Sequence, residues 1–294
     1  MERASVRVAD VAGALFRYQS HDEDSARWLG FRFRPGDIVI STRRRTGTTW
    51  MQMICALLIF QRPELPAPLW HLSPWLDHTI APPGAVHALL AGQRHRRFVK
   101  THSPLDCIPS DPRVSYIVTA RHPLDMFVSL RHQIDTIERA AGRPLSAEPV
   151  HDSLLRWIAD DGSAREFPES LRTVLWHLTD AWSRRTEPNV LLVHYDDLSA
   201  DLEGQMRGIA WRLGIAVPEP VWPSLVRAAT FQRMRQRSEH IVPGAPGDTA
   251  AFFRRGTPGA GRELLSDAEM AAYHARVAQL APPDLLEWLH SPTG

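Results

Sequence analysis

Cysteine is scarce in this sequence, and so are long apolar runs and any large excess of one charge. Its 294 residues include two cysteines, Cys55 and Cys107, which are too few for a disulfide framework and do not suggest a zinc site. No window approaches the roughly 20 apolar residues that a membrane-spanning helix requires. The net charge is +1, so we expect no attraction of the whole molecule to nucleic acid or membrane. Any affinity for anions must come from a local cluster.

The N-terminal twenty residues, MERASVRVADVAGALFRYQS, also lack the apolar core of a signal peptide, because charges interrupt their hydrophobic positions. A cytoplasmic protein is therefore the expectation. No internal repeat or low-complexity run divides the chain. We predict one domain over residues 1–294, with a core of about 34–290 and a peripheral N-terminal segment, 1–30.

Short β-rich segments alternate with helical patterns along the chain, which is typical of βαβ units around a parallel sheet. The candidate strands are largely apolar, as expected where helices cover both faces of a sheet. They lie at about 37–41, 98–100, 116–119 and 190–194. The sequence thus predicts a single α/β domain with a central parallel β-sheet flanked by helices.

Apolar residues at helical spacing predict the helices between these strands. The helices should begin near Thr48, span about 171–182 and 202–213, and follow a capping box formed by Ser266 and Glu269. Two segments rich in proline, about 62–96 and 236–262, are predicted to be irregular lids or binding loops.

The stretch STRRRTGTTW, residues 41–50, places arginines, a glycine and hydroxyl side chains between a strand and a helix. The N-terminus of a helix offers unpaired N–H groups and a positive dipole end, which favour an anion. A surface turn with solvated arginines is the alternative for this loop taken alone. No lysine follows Gly47, as the pattern G-x-x-x-x-G-K-[ST] would require, and no later strand end carries a clear magnesium ligand. A magnesium-dependent kinase or NTPase is therefore disfavoured.

Three further motifs follow this loop in order: K-T-H-S-P at 100–104, R-H-P-L-D-M-F-V-S at 121–129 and F-F-R-R-G at 252–256. Together with T-G-T-T-W at 46–50, they resemble the motifs of cytosolic-type sulfotransferases, which use 3′-phosphoadenosine 5′-phosphosulfate (PAPS). That family shows P-K-S-G-T-T-W, K-T-H-x-P, an arginine and a serine eight residues apart, and a late R-K-G. The resemblance covers about residues 34–262. It implies a fold related to the P-loop nucleotide kinases and a metal-free sulfuryl transfer.

The resemblance also implies a bipartite site for PAPS. Its 5′-phosphosulfate would be bound by the first loop, which comprises Arg45, Thr46, Gly47, Thr48 and Thr49. Its 3′-phosphate would be bound by Arg121 and Ser129, with help from Arg254, Arg255 and Gly256, and Phe253 of the same late motif is a further predicted cofactor contact. The adenine would lie among Trp50, Tyr195, Thr230 and Phe231. For Trp50, a role as the core anchor of the first helix is the alternative.

His102 is the catalytic candidate, because the histidine of the K-T-H motif is the general base in the family that this chain resembles. An imidazole titrates near neutrality and can accept the proton of an acceptor hydroxyl at cellular pH. Lys100 lies two residues earlier on an extended strand end, so both side chains should face the site. Lys100 is predicted to stabilise charge on the transferring sulfuryl group.

Two departures from the family patterns are relevant to this prediction. Arg45 occupies the position of a lysine, and an arginine can stabilise negative charge but is a poor general acid. The C-terminal dimer motif of the family is poorly kept at residues 262–267, so a dimer of that type is not expected and the oligomeric state stays open.

The acceptor pocket of the resembled family is built from segments that correspond here to residues 66–77 and about 133–166. In the first, Trp70, Trp75, Leu72 and Leu76 would form an apolar wall, with His71 and Asp77 as its polar members. Such a pocket suits a hydroxylated small molecule. The alternative is that the tryptophans pin the segment to the body of the protein.

Two other functions stay open: a catalytically impaired PAPS-binding protein, favoured by the Arg45 exchange, and a relative that transfers phosphoryl groups.

Overall fold

A parallel sheet forms the centre of the computed structural model of the protein, which describes residues 15–164, 169–241 and 259–291. Its strands are β1 (Ile38–Thr42), β2 (Phe98–Thr101), β3 (Ser115–Ala120) and β4 (Val190–His194). Their spatial order is β2-β1-β3-β4, and every pairing is parallel. All four strands lie within one or two residues of the predicted segments. The prediction of an α/β fold with a central parallel sheet is therefore confirmed.

Alternation along the strands divides the core into two layers, one on each face of the sheet. Ile38 and Ile40 of β1 face a cluster built around the first helix, whereas Val39 faces a cluster on the opposite side. All three side chains are fully buried. Because helices cover both faces, the strands can be apolar throughout, which explains the pattern seen in the sequence.

The helices occupy the segments between and after the strands. They are α1 (Thr48–Phe60), α2 (Leu69–Leu72), α3 (Pro83–Gly92), α4 (Pro123–Ala140), α5 (Val150–Ala159), α6 (Leu171–Ser183), α7 (Tyr195–Ala200), α8 (Leu202–Arg212), α9 (Trp222–Ala229), α10 (Phe231–Gln236), α11 (Asp267–Leu280) and α12 (Pro283–His290). The predicted helices correspond to α1, α6, α8 and α11, and the capping box of Ser266 and Glu269 is present. In the described residues, none of the helices combines the length and the hydropathy that crossing a membrane requires.

Two regions differ from the sequence expectations. The segment 62–96 was predicted to be irregular, which is wrong for α2 and for α3, whose Pro83 fixes the backbone at the first helical position. Residues 1–30 were predicted to be peripheral; of these, the structure describes Tyr18 and Trp28 as buried side chains of the core cluster on the α6 side of the sheet. Residues 15–28 therefore contribute to the body of the protein.

Candidate active site at the carboxyl end of the sheet

The predicted site residues follow the carboxyl ends of the strands. β1 continues into the loop 43–47, and the residues immediately after β2, β3 and β4 are His102, Arg121 and Tyr195. Because the strands are parallel and hydrogen-bonded to their neighbours, these ends lie along one edge of the sheet. The topology therefore brings together motifs that are far apart in the sequence.

The loop after β1 has an unusual backbone. Arg45 has a φ of 67° and Gly47 a φ of 107°, both in the left-handed region. A Cβ atom at position 47 would lie 3.1 Å from Cδ2 of Tyr195, so a side chain at this position would crowd the tyrosine ring. Gly47 is thus required both by its φ and by the close approach of Tyr195.

Hydroxyl groups brace this loop from inside. Thr46 donates a hydrogen bond to the carbonyl of Arg43 at 2.7 Å, and its Oγ1 lies 3.0 Å from Oγ1 of Thr119 on β3. The hydroxyls of Thr42 and Thr48 lie 2.6 Å apart. Two of the predicted phosphosulfate contacts therefore use their hydroxyls within the protein, which fixes the shape of the loop.

Helix α1 begins directly behind the loop, with Gly47 as its N-cap. Because glycine has no side chain to cap the helix, the first-turn N–H groups keep their capacity to bind an anion. Thr49 lies in this first turn and is half-exposed. Residues 45–49 therefore form a left-handed turn followed by the N-terminus of a helix, and binding of the phosphosulfate there stays a prediction.

The first two arginines of the run pair with carboxylates. Arg43 is buried, donates a hydrogen bond to the carbonyl of His102, and lies 3.9 Å from a carboxylate oxygen of Glu23. Arg44 forms ion pairs with Asp22, with Glu23 at 3.2 Å, and with Glu169 at 3.0 Å. The charges of these two arginines are therefore largely compensated by acids outside the loop.

Arg45 instead points toward the predicted 3′-phosphate group. Its Nε donates a hydrogen bond to Oγ of Ser129 at 2.9 Å. Arg121 donates to the carbonyl of Arg45 at 3.4 Å, and its guanidinium lies 4.3 Å from the ring centroid of Tyr195. Burial, and the nearby charge of Arg121, lower the pKa of Arg45 to about 10. Both halves of the predicted cofactor site are thus in contact.

The predicted adenine residues also lie together. The rings of Trp50 and Tyr195 meet edge to face with centroids 5.2 Å apart, and Nε1 of Trp50 donates to the carbonyl of Ala229 at 2.8 Å. Phe231 packs against the cluster on the α1 side of the sheet. The hydroxyl of Thr230 caps α10 by accepting from the N–H of Arg233 at 3.3 Å. Thr230 therefore has a structural role as well as its predicted one.

His102 is buried, and its orientation is fixed by the backbone of β1. Its Nδ1 lies 2.6 Å from the carbonyl oxygen of Thr42, which can only accept a hydrogen bond. Nδ1 therefore carries the proton, and Nε2 carries the lone pair. Burial lowers the pKa of His102 well below its ordinary value, and the charges of Lys100, Arg44 and Arg43 lower it further. The imidazole is a neutral base at neutral pH.

Lys100, on β2, lies beside the same imidazole. Burial, assisted by the charge of Arg44, lowers the pKa of Lys100 to about 8, while Glu23 and Asp77 oppose this shift. Its ammonium nitrogen lies 4.0 Å from the ring centroid of Trp75, whose ring is 4.7 Å from that of His102. Lysine, histidine and tryptophan thus form one contact group at the end of β2.

The sequence matches the model of the sulfotransferase domain over residues 35–281. The chain belongs to this sulfotransferase family. The glycolipid sulfotransferase of Mycobacterium tuberculosis is 38% identical over an alignment of 304 positions, gaps included, that covers 93% of each chain. Sulfotransferase 1A1 of Rattus norvegicus is 26% identical, with 83% of this chain and 84% of the relative covered. The predictions of the family and of a sulfuryl-transfer enzyme that uses PAPS are confirmed.

Solved structures give the same fold for the sulfotransferase. A retinol dehydratase in complex with androsterone and the inactive cofactor PAP superimposes with a TM-score of 0.69 at 22% identity, over 88% of this chain and 86% of the other. A mouse sulfotransferase complexed with PAP gives a TM-score of 0.64 at 19% identity, with 87% of each chain covered. These similarities support the fold.

Parts of the predicted site lie elsewhere or outside the described residues. Phe253, Arg254, Arg255 and Gly256 fall outside the residues that the structure describes. In the predicted acceptor wall of the sulfotransferase, Leu72 and Leu76 belong to the two hydrophobic core clusters instead. Within residues 15–164, 169–241 and 259–291, no group of three or more His, Cys, Asp or Glu side chains is arranged to hold a metal ion.

Several residues of the sulfotransferase site were missed or misassigned in the sequence. The partners of the arginine run, Asp22 and Glu23, lie about twenty residues upstream and belong to no motif. Asp77 was predicted as a polar member of the acceptor wall, but it is fully buried and accepts hydrogen bonds from the hydroxyls of Thr101 and Ser103. These two hydroxyls flank His102, so Asp77 stabilises the turn that carries this histidine.

Proposed function

We propose that the enzyme moves a sulfuryl group from PAPS to an acceptor hydroxyl with His102 as the general base. The hydrogen bond from Nδ1 of His102 to the carbonyl of Thr42 carries this assignment, because it leaves Nε2 as the proton acceptor. As the acceptor oxygen bonds to sulfur, its proton passes to Nε2. The bond between sulfur and the bridging oxygen breaks, and the 3′,5′-diphosphate (PAP) leaves with the electron pair.

Lys100 and Arg45 would stabilise the charge that develops during this transfer. Lys100 lies beside His102, and an ammonium with a pKa of about 8 stays charged at neutral pH. Arg45 has a pKa of about 10, so it is also charged and acts as a hydrogen-bond donor rather than as a general acid. The chemistry then depends on a leaving group that needs no protonation by the protein.

The residues fit the proposed nucleotide in charge and shape. Nε of Arg121 is buried and has no hydrogen-bond partner within the described part of the chain, which leaves a donor for the 3′-phosphate. Ser129 lies within reach of the same region through its bond to Arg45. Trp50 and Tyr195 offer aromatic surface for the adenine. Phe253, Arg254, Arg255 and Gly256 remain predicted contacts.

For the acceptor, we propose a hydroxyl on the sugar of a glycolipid. The relatives with 38% identity carry the name glycolipid sulfotransferase. In this chain, the surroundings of Trp75 are polar: His78 stacks on its ring at 4.1 Å, and Arg44, with its carboxylate partners, lies 5.6 Å away. Such side chains suit the several hydroxyls of a sugar better than a purely apolar alcohol.

The test is to incubate the protein with PAPS, without metal, and with either a glycolipid or a simple phenol, and to measure PAP. We expect faster turnover with the glycolipid, and loss of turnover in His102→Ala but not in His274→Ala, an exposed histidine on α11. Equal rates in His102→Ala and the wild type would refute the general base. Faster turnover with the phenol would refute the glycolipid.

A catalytically impaired PAPS-binding protein is the second candidate, because Arg45 stands where the family motif has lysine. The same experiment separates the two functions: binding of PAP without turnover on any acceptor would favour the second. Turnover that requires ATP and magnesium would instead point to phosphoryl transfer.

A further inference from the structure

Lys100 is held in an unusual way for a charged side chain next to a catalytic base. Among the described residues, no carboxylate lies within ion-pairing distance of its ammonium, and no hydrogen bond to the ammonium is present. Its close contact is the face of Trp75, with the nitrogen 4.0 Å from the ring centroid. A cation over an indole face at this distance is attracted to the ring's negative quadrupole.

The backbone fixes Trp75 in this position. The N–H of Lys100 donates to the carbonyl of Pro74 at 3.0 Å, and the N–H of Leu76 donates to the carbonyl of Lys100 at 3.1 Å. Residues 74–76 therefore run beside the end of β2, and Trp75 forms a parallel bridge with Lys100. Because both flanking residues are bonded to Lys100, the indole cannot move away without breaking this bridge.

The other contacts of the indole restrict its rotation. His78 stacks on it with centroids 4.1 Å apart and an interplanar angle of 28°. His102 contacts it at 4.7 Å with an interplanar angle of 74°. Trp75 thus touches both groups that the proposed reaction uses, and its place is set by contacts that are independent of any ligand.

An aromatic face and a carboxylate hold a lysine with different consequences. A carboxylate compensates the positive charge, as Asp22, Glu23 and Glu169 do for Arg44 nearby. An indole fixes the position of the ammonium and adds no net charge. A cation that must stabilise an anionic sulfuryl group is useful only if its charge is not already compensated.

We propose that Trp75 is a positioning residue that holds the Lys100 ammonium beside His102 and leaves its charge available to the transferring sulfuryl group. This inference rests on the proposed function and assigns to Trp75 a task other than lining an acceptor wall. It predicts that the effect of Trp75 on catalysis acts through Lys100.

The test is a double-mutant cycle on kcat at saturating acceptor, with the single variants Trp75→Leu and Lys100→Met and their combination. We expect Trp75→Leu to lower kcat about tenfold, the size of a partly desolvated cation–π contact. In the Lys100→Met background the same change should lower kcat less than about twofold. Trp75→Phe, which keeps an aromatic face, should retain most of the activity. An undiminished effect in the Lys100→Met background, or a change confined to the KM of the acceptor, would overturn the proposal.

A binding measurement keeps this test independent of turnover. Lys100 would contact the sulfuryl group, which PAPS carries and PAP lacks, so Trp75→Leu should weaken PAPS several-fold relative to PAP. Trp211→Leu is the matched control, because Trp211 is a tryptophan on α8 that is 79% exposed; it should leave the ratio unchanged. If the wild type binds PAPS without turnover, the proposed function fails, but the ratio still tests Trp75. An equal loss of both nucleotides would overturn the positioning role.

Discussion

The cations of this protein fall into two regions that differ in what surrounds them. Arg43 and Arg44, in the loop after β1, are paired with carboxylates, and we call them the carboxylate-paired group. Lys100 and Arg121 lie 4.0 and 4.3 Å from the centroids of aromatic rings, and we call them the aromatic-contact group. A carboxylate compensates a positive charge, and an aromatic face leaves it available to a ligand. Cations at the same edge of the sheet can therefore have different tasks, which are decided by the side chains that contact them.

The sharpest test of the site beside Lys100 removes His102, the proposed base. His102→Ala should lower kcat about a thousandfold, because it removes the general base of the proposed reaction. Steady-state PAP formation measures this, and the affinity for PAP, measured by calorimetry, should stay within about threefold of the wild type. A variant that keeps more than a tenth of the activity would assign the proton transfer to another group.

The contrast between the two regions predicts opposite results for two arginines. Arg121→Ala should weaken the binding of PAP about a hundredfold, because the proposed buried, charge-assisted contact to the 3′-phosphate is lost. Adenosine 5′-phosphate, which lacks that phosphate, should bind with little change. Arg44→Met is the matched control and should alter the affinity for PAP less than about threefold. Similar losses of affinity for PAP in both variants would contradict the distinction between the carboxylate-paired group and the aromatic-contact group.

The carboxylate-paired group should instead affect the stability of the fold. Glu23 is buried, and Glu23→Gln would leave Arg43 and Arg44 with less compensating charge, so we expect the free energy of unfolding to fall by about 3 kcal/mol. Urea denaturation measures this change. Glu203→Gln, which removes an exposed i,i+4 pair with Arg207 on α8, should cost less than about 0.5 kcal/mol. Equal effects of the two substitutions on the free energy of unfolding would show that the carboxylates paired with Arg43 and Arg44 do not stabilise the fold.

The pH dependence of kcat/KM distinguishes the role of His102 from that of Lys100. His102 has a pKa well below its ordinary value, so the base stays unprotonated at neutral pH and the acidic limb of kcat/KM lies below the pH range in which a free imidazole titrates. The pKa of Lys100 is about 8, so its positive charge is lost as the pH rises above that value. We expect kcat/KM to have fallen about tenfold by about pH 9. This decrease at alkaline pH should be absent in Lys100→Met. A flat profile to about pH 10 would contradict the role of Lys100.

The smallest effect concerns the exchange that separates this chain from the family motif. Arg45→Lys removes the donor to Ser129, which is worth a few-fold in affinity for PAP. The loss should disappear in a Ser129→Ala background, where the partner is already missing. If Arg45→Lys is as damaging as Arg45→Ala, the guanidinium itself, rather than its charge, is required.

Much of the fold and the outline of the site could be predicted because local patterns determine them. The strands are apolar because both faces are covered, and Lys100, His102 and Arg121 lie at strand ends that a parallel topology must bring to one edge. The partners of Arg43 and Arg44 could not be predicted, because Glu23 and Glu169 come from distant segments without a motif. The contact of Trp75 with Lys100 depends on a bridge beside β2, and no periodicity in the sequence indicates that bridge.

The backbone of Arg45 has a consequence for how this loop can change. At a φ of 67°, glycine would be the easier residue, and a side chain with a Cβ is held there at a cost of roughly 1 kcal/mol. The loop therefore holds the charge that the proposed function uses at a position where folding alone would favour glycine. If Arg45 acts as proposed, selection for thermal stability and selection for activity act in opposite directions on this single residue.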